Sequence, residues 1–224
     1  MGLNVVVGAF LDNEDPEGIE DLRAEFAAVN EALREAGLPE HREPERADWD
    51  PVDFDMWGYG GLHYLRRVAA HLDRGEDLPE PGSPESVDDD PVMERYYDRA
   101  TSTLRGLLQA FGRKKNGRFD HLMLHSDAEG FYVPIPFSEV LVSEDVAGGM
   151  IGSSQALLDE LTRVARALGL PPELDPASDE VFEAAQHQGR GESWKAYGVE
   201  SLTCLQLQAA ARASVERQAA IVFA

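Results

Sequence analysis

The chain opens on a continuous apolar run, residues 3–11 (LNVVVGAFL). This run is short for a helix and rich in β-branched side chains, so it predicts a buried strand. Asp12 to Gly18 read as a turn. Pro16 suits a helix start, and Glu17, Glu20 and Asp21 suit its positive end. Ile19, Leu22, Phe26, Val29 and Leu33 then recur at helical spacing until Gly37-Leu38-Pro39 stops the helix. Residues 39–56 show no period and read as a long loop carrying Trp49 and Phe54. A second helix starts near Gly58–Gly61, carries Leu62, Leu65, Val68, Ala69 and Leu72, and ends at Gly75. Residues 76–91 hold four prolines and a run of acids, which predicts a mobile, solvated loop. A third helix is expected from Pro91 to Phe111.

Residues 112–118 (GRKKNGR) form a basic turn. Three strands are expected next, over 119–126 (FDHLMLHS), 129–137 (EGFYVPIPF) and 137–143 (FSEVLVS). Pro134 and Pro136 lack a donor N–H and make the second an edge or a broken strand. After a loop over Asp145–Gly149, residues 152–154 lead into an amphipathic helix with Leu157, Leu158, Leu161, Val164, Ala165 and Leu168, closed by Gly169. A short helix over 179–188, a long one over 200–215 and an apolar run over 219–223 complete the chain, the last run placed beside the first strand. The order β-α-α-α-β-β-β-α-α-α-β, without internal repeats, predicts an α+β or mixed α/β fold. A small central sheet of N-terminal, middle and C-terminal strands is covered by five to six helices.

Length agrees with this picture: 224 residues make one domain, 1–224, that can bury a sizeable core. The single cysteine, Cys204, forms no intrachain disulfide and sits among leucines as a small hydrophobe. The N-terminus lacks the basic region of a secretory signal, and no apolar stretch approaches the length of a membrane span. A cytoplasmic protein is expected.

Charge changes the picture more. The formal net charge is -22, from 42 acids against 20 bases. Such an excess repels nucleic-acid phosphates and anionic membranes, so neither is expected as a partner. A basic protein, such as a toxin or nuclease, fits it. An evenly spread acidity would instead mark adaptation to salt, and only three of the bases are lysine (Lys114, Lys115, Lys195), a bias that high-GC coding produces.

Two clusters are candidates for chemistry. In residues 120–130, strand alternation would place His121, Met123 and His125 on one face. The following turn would bring Asp127 and Glu129 beside His125, an arrangement suited to acid–base work. An ordinary turn before Gly130 accounts equally for the two acids. In residues 48–63, Asp48, Asp50, Asp53 and Asp55 match no calcium-loop spacing, and no metal is expected there. Trp57 and Tyr59, among Gly58, Gly60 and Gly61 and followed by His63, form an aromatic patch that either meets a ligand or caps the core. The glycines and serines over 148–154 either cradle an anion or cap a helix, Ser153 or Ser154 serving as a plain N-cap, and the lysine of a phosphate-binding loop is missing. No catalytic signature appears and no cofactor can be assigned.

These observations favour a non-catalytic interaction protein, immunity- or inhibitor-like, that neutralises a basic partner. The alternative is a small enzyme or ligand-binding protein built on His125, Asp127 and Glu129, with Tyr59 and His63 facing them; Trp57, Tyr59 and His63 are the ligand-binding candidates. Oligomeric state is not fixed by the sequence.

Overall fold

The computed structural model describes residues 3–12, 15–82, 87, 89–98 and 117–223. Strand β1 (Asn4–Val7) leads through a short turn of helix, α1 (Ala9–Asp12), into α2 (Pro16–Glu35). The Asp15 carboxylate caps α2 by accepting from the Glu17 and Gly18 N–H groups. After a long connection come β2 (Val52–Asp55) and α3 (Gly58–Arg74), which ends on Gly75 in the left-handed conformation. Helix α4 (91–98) follows. Then come α5 (Asp120–Met123), β3 (Gly130–Val133), β4 (Leu141–Val142) and β5 (Met150–Ser153). Helices α6 (Ser154–Leu168), α7 (Asp179–Gln186) and α8 (Gly198–Arg217) precede β6 (Ile221–Phe223).

The strands form one six-stranded sheet in the order β2-β1-β6-β3-β5-β4. Only the β3–β5 pair is parallel. The C-terminal strand pairs with the first, Val6 opposite Val222, as its apolar run predicted. Alternation divides the core in two. Val6, Phe131, Val133, Ile151 and Val222 face α2, which answers with Phe26, Val29 and Leu33. Val5, Val7, Tyr132, Ile221 and Phe223 face the opposite layer of α3, α6 and α8. Helix α8 is buried on nearly every side between this layer and α7, which explains its weak helical periodicity. The result is an α+β fold in which α2 covers one sheet face and three helices cover the other.

Several expected elements differ. Residues 120–123 are helical, not a strand, so the expected common face for His121, Met123 and His125 does not form. Strand β2 lies in what reads as loop, because only Val52 and Phe54 turn inward while Asp53 and Asp55 face solvent at the sheet edge. Strand β5 was hidden by its glycine. A Cβ on Gly152 would lie 2.1 Å from Cδ1 of Tyr132, so the bare backbone lets the Tyr132 ring pack flat against the sheet. Ser153 ends this strand and caps α6, its hydroxyl accepting from the Ala156 N–H. The described parts of the acidic stretch 76–91 are tied to the body. Tyr197 donates to the Pro79 carbonyl (2.7 Å), Arg67 to the Glu80 carbonyl (2.8 Å), and the buried Asp90 accepts from Arg67 (2.5 Å). Residues 83–86 and 88 of that stretch, the third expected helix beyond residue 98, and residues 112–116 of the basic turn lie outside the described residues.

Gly152→Ala should lose about 1–3 kcal/mol, the cost of overpacking at a site where the buried Tyr132 ring cannot give way. Urea unfolding checks this: the midpoint should fall with the slope unchanged.

Candidate functional site

Helix α3 turns Leu62, Leu65, Val68 and Ala69 into the core, and Arg66 goes in with them, 2% exposed. A guanidinium placed there must find acceptors for its donors. It donates through Nε to the Leu122 carbonyl (2.8 Å), through Nη2 to the His125 carbonyl (2.5 Å), and through Nη1 to the Asp127 carboxylate. The second Asp127 oxygen receives Nε2 of His63 at 3.2 Å. Burial works against the Asp127 charge, but the His63 hydrogen bond and the Arg66 charge outweigh it and hold the carboxyl down at about 2.

The same segment is held from its other sides. Glu160, buried on α6, accepts from the backbone N–H groups of His121 (3.1 Å) and Leu122 (2.7 Å), a side-chain cap on α5. Burial pushes the Glu160 carboxyl up to about 8 against the pull of those two donors. Tyr132 donates to the His121 carbonyl (2.8 Å), and the Asp120 carboxylate receives the Tyr96 hydroxyl (2.6 Å) and the Gly117 N–H (2.7 Å). His121 accepts the Ser153 N–H on Nδ1 (3.0 Å), so Ser153 and Glu160 connect the segment to both ends of one strand–helix junction.

His125 lies buried, its ring stacked on Tyr132 with centroids 4.1 Å apart. Nδ1 faces the Ser126 carbonyl (3.0 Å) and Nε2 the Phe131 carbonyl (3.2 Å). Burial, reinforced by the Arg66 charge, pushes the imidazole down to about 4. The ring is therefore neutral at physiological pH and donates to one of the two carbonyls.

His63, Arg66, His125 and Asp127 line one cavity of about 760 Å³ together with Met93 and Tyr97. Glu129 is not among them. It lines a separate recess of about 290 Å³ with Glu25 of α2. Trp57, just ahead of α3, is 41% exposed, and the Tyr59 side chain lies outside the described residues. The structure thus joins His63, His125 and Asp127 and sets Glu129 and Trp57 elsewhere. Sequence reasoning missed Arg66, Glu160 and Glu25. A signal existed for Arg66: it interrupts the inward stripe Leu62, Leu65, Val68, Ala69 with a charge, which demands buried acceptors.

Glu129 belongs instead to an acidic face. Along α2, Glu17, Asp21 and Glu25 stand at intervals of four residues, about 6 Å of rise each, on one side of the helix. The two arginines of α2 are taken up by other acids: Arg23 by Glu20 and Glu45, Arg34 by Glu31 and Glu40. Among the described residues no ion pair engages Glu17, Asp21, Glu25 or Glu129. Burial, then the charges of Glu129 and Asp21, raise the Glu25 carboxyl above its ordinary range. Asp53 and Asp55 add exposed carboxylates two residues apart on the β2 edge, with Asp48 and Asp50 exposed before them. Exposed acids also occur across the sheet, among them Asp159, Glu173 and Glu183.

A family model described as "Putative DNA-mimic protein" matches residues 1–223. The chain belongs to this family. No curated protein and no solved structure matches it. Membership in the DNA-mimic family corrects the partner expected from charge. That expectation was a basic protein of the toxin or nuclease kind; a family described by DNA mimicry implies proteins that bind DNA, selected by their DNA-binding surface and not by a basic net charge. The expectation that the chain does not itself engage nucleic acid is compatible with the DNA-mimic family. No described helix is long and apolar enough to cross a membrane, and no described group of three or more His, Cys, Asp or Glu side chains is placed to hold a metal ion.

Two predictions follow from the buried network. Arg66→Met should destabilise the protein by about 2–4 kcal/mol, because it leaves the Leu122 and His125 carbonyls without their donor, while the partly exposed Asp127 keeps His63; denaturant unfolding measures it. Arg66→Lys should recover only part of the loss, since an ammonium cannot reach three acceptors in the planar fork geometry. The Glu160 carboxyl has a folded pKa raised from 4.5 to about 8, so the folded state binds the proton more tightly. Its contribution is complete below about pH 4.5, falls as pH rises, and is gone above about 8. The stability of wild type relative to Glu160→Gln should decline across that window and level off above it in melting temperatures taken at each pH.

Proposed function

We propose that this protein acts as a DNA mimic, presenting the carboxylates of α2 with Glu129 to the DNA-binding surface of a protein. The observation that carries the reading is the row Glu17, Asp21, Glu25 and Glu129, which no described base neutralises although both arginines of α2 lie within the same helix. Membership in the DNA-mimic family over residues 1–223 supports it. The chemistry is direct. A surface that binds DNA offers Arg and Lys side chains spaced for phosphates, and an Arg fork grips a carboxylate as it grips a phosphate, through two parallel N–H···O bonds. Fixed carboxylates about 6 Å apart on a rigid helix present repeated negative charge in one line, as a DNA strand does with its phosphates. Burial is the main cause that raises Glu25, and a partner's cations would relieve the repulsion from Glu129 and Asp21 that adds to it.

Elution from DNA checks this. DNA-binding proteins from the encoding organism are retained on duplex-DNA agarose and challenged with the purified protein. Wild type should release at least one of them at about 50 mM salt, and the affinity of the resulting complex, measured without DNA, should fall by about tenfold or more when salt is raised to about 200 mM. The triple variant Glu17→Lys, Asp21→Lys, Glu129→Lys should release none. Equal release by the variant, or no release by wild type, would sink the reading.

A further inference from the structure

On the sheet face opposite α2, a groove of about 280 Å³ runs between α6 and α8. Its floor is apolar, from Ala165, Leu170, Leu205 and Ala209, and Arg166 and Arg212 line it from the two helices. Pro171, Pro172 and Pro176 form a rim whose backbone is stiffened by proline. Among the described residues no carboxylate lines the groove, in a chain with more than twice as many acids as bases. Glu173 and Asp175, in the rim segment, are exposed and do not line it. Among the described residues no ion pair engages Arg166 or Arg212. Two unneutralised guanidiniums over an apolar floor are therefore gathered where the overall charge would predict acids.

We propose that this groove binds a small organic anion: a carboxylate, phosphate or sulfonate carried on an apolar, ring-sized body. The volume lies just below the usual range of small-molecule sites, roughly 300–1,000 Å³, so the ligand is compact. The guanidinium forks grip the anionic head in a bidentate manner, and the floor removes the apolar body from water. Salt screens acids that lie more than about 8–10 Å away, while the two arginines act at contact distance. The site lies across the sheet from the proposed mimic face, so the two can fail separately.

The probe is 8-anilinonaphthalene-1-sulfonate, an amphipathic anion whose fluorescence rises in apolar surroundings, with uncharged N-phenyl-1-naphthylamine as the control. Wild type should bind the sulfonate saturably at one site. The Arg166→Gln, Arg212→Gln double variant should lose at least tenfold in affinity, and the Arg166→Lys, Arg212→Lys double variant should fall between it and wild type, keeping the charge but not the bidentate fork. The uncharged control should bind all three proteins alike. An unchanged melting temperature shows that the exposed substitutions leave the fold intact, and the lysine variant provides the comparison if the glutamine variant is weakened. Absence of sulfonate binding to wild type overturns the proposal, as does equal affinity in wild type and the glutamine variant.

Discussion

The fold depends on one buried cation. Arg66 sits inside the apolar layer of α3, and its donors are met by the Leu122 and Asp127 side of a segment that pairs with no strand. An irregular segment within a core would leave its backbone amides and carbonyls unsatisfied, a cost of about 1–3 kcal/mol for each orphaned group. Here side chains from separate elements take the place of a sheet ladder. Arg66 of α3 donates to two carbonyls, Tyr132 of β3 donates to a third, and Glu160 of α6 accepts from two amides. Each contact joins the segment to a different element, so α3, α6 and the sheet are fixed relative to one another through residues 120–127.

This also explains which parts of the structure could be read in the sequence. Some elements were legible because local rules govern them: β1 and β6 as short apolar runs, α2 between Pro16 and Gly37, α3 and α6 closed by Gly75 and Gly169. Residues 119–126 alternate like a strand, yet they fold as a turn of helix because Glu160, thirty-eight or more residues away, supplies the cap. Long-range capping leaves no trace in local periodicity. Strand β2 was invisible for the opposite reason. Its aspartates belong to the surface, and a four-residue edge strand with two inward side chains carries too little apolar signal.

The candidate site was legible in the same uneven way. His125 and Asp127 are neighbours in the sequence and share a cavity with His63, but the reason they do so is Arg66, which neither cluster contained. Glu129 follows Asp127 by two residues and leaves for the other side of the sheet, where its neighbour is Glu25. The bend through residues 127–129 sends the two carboxylates to opposite faces, one into an ion pair and one into an unneutralised row.

That division bears on how so acidic a chain stays folded. Like charges at intervals of four on a helix oppose folding by a few tenths of a kcal/mol per pair, and a high net charge adds repulsion over the whole surface. Pairing each acid with a base would remove the cost, as it does around Arg23 and Arg34, but it would also remove the charge. On the proposed function, a surface that resembles phosphates must stay unpaired, so the opposing stability has to come from within. The interior supplies it through two core clusters on either face of the sheet and through a polar network whose donors and acceptors are largely satisfied. Rigidity then serves recognition as well. Carboxylates on a long, capped helix lose little further freedom on docking, whereas the same acids on a flexible tail would have to be ordered at the moment of binding.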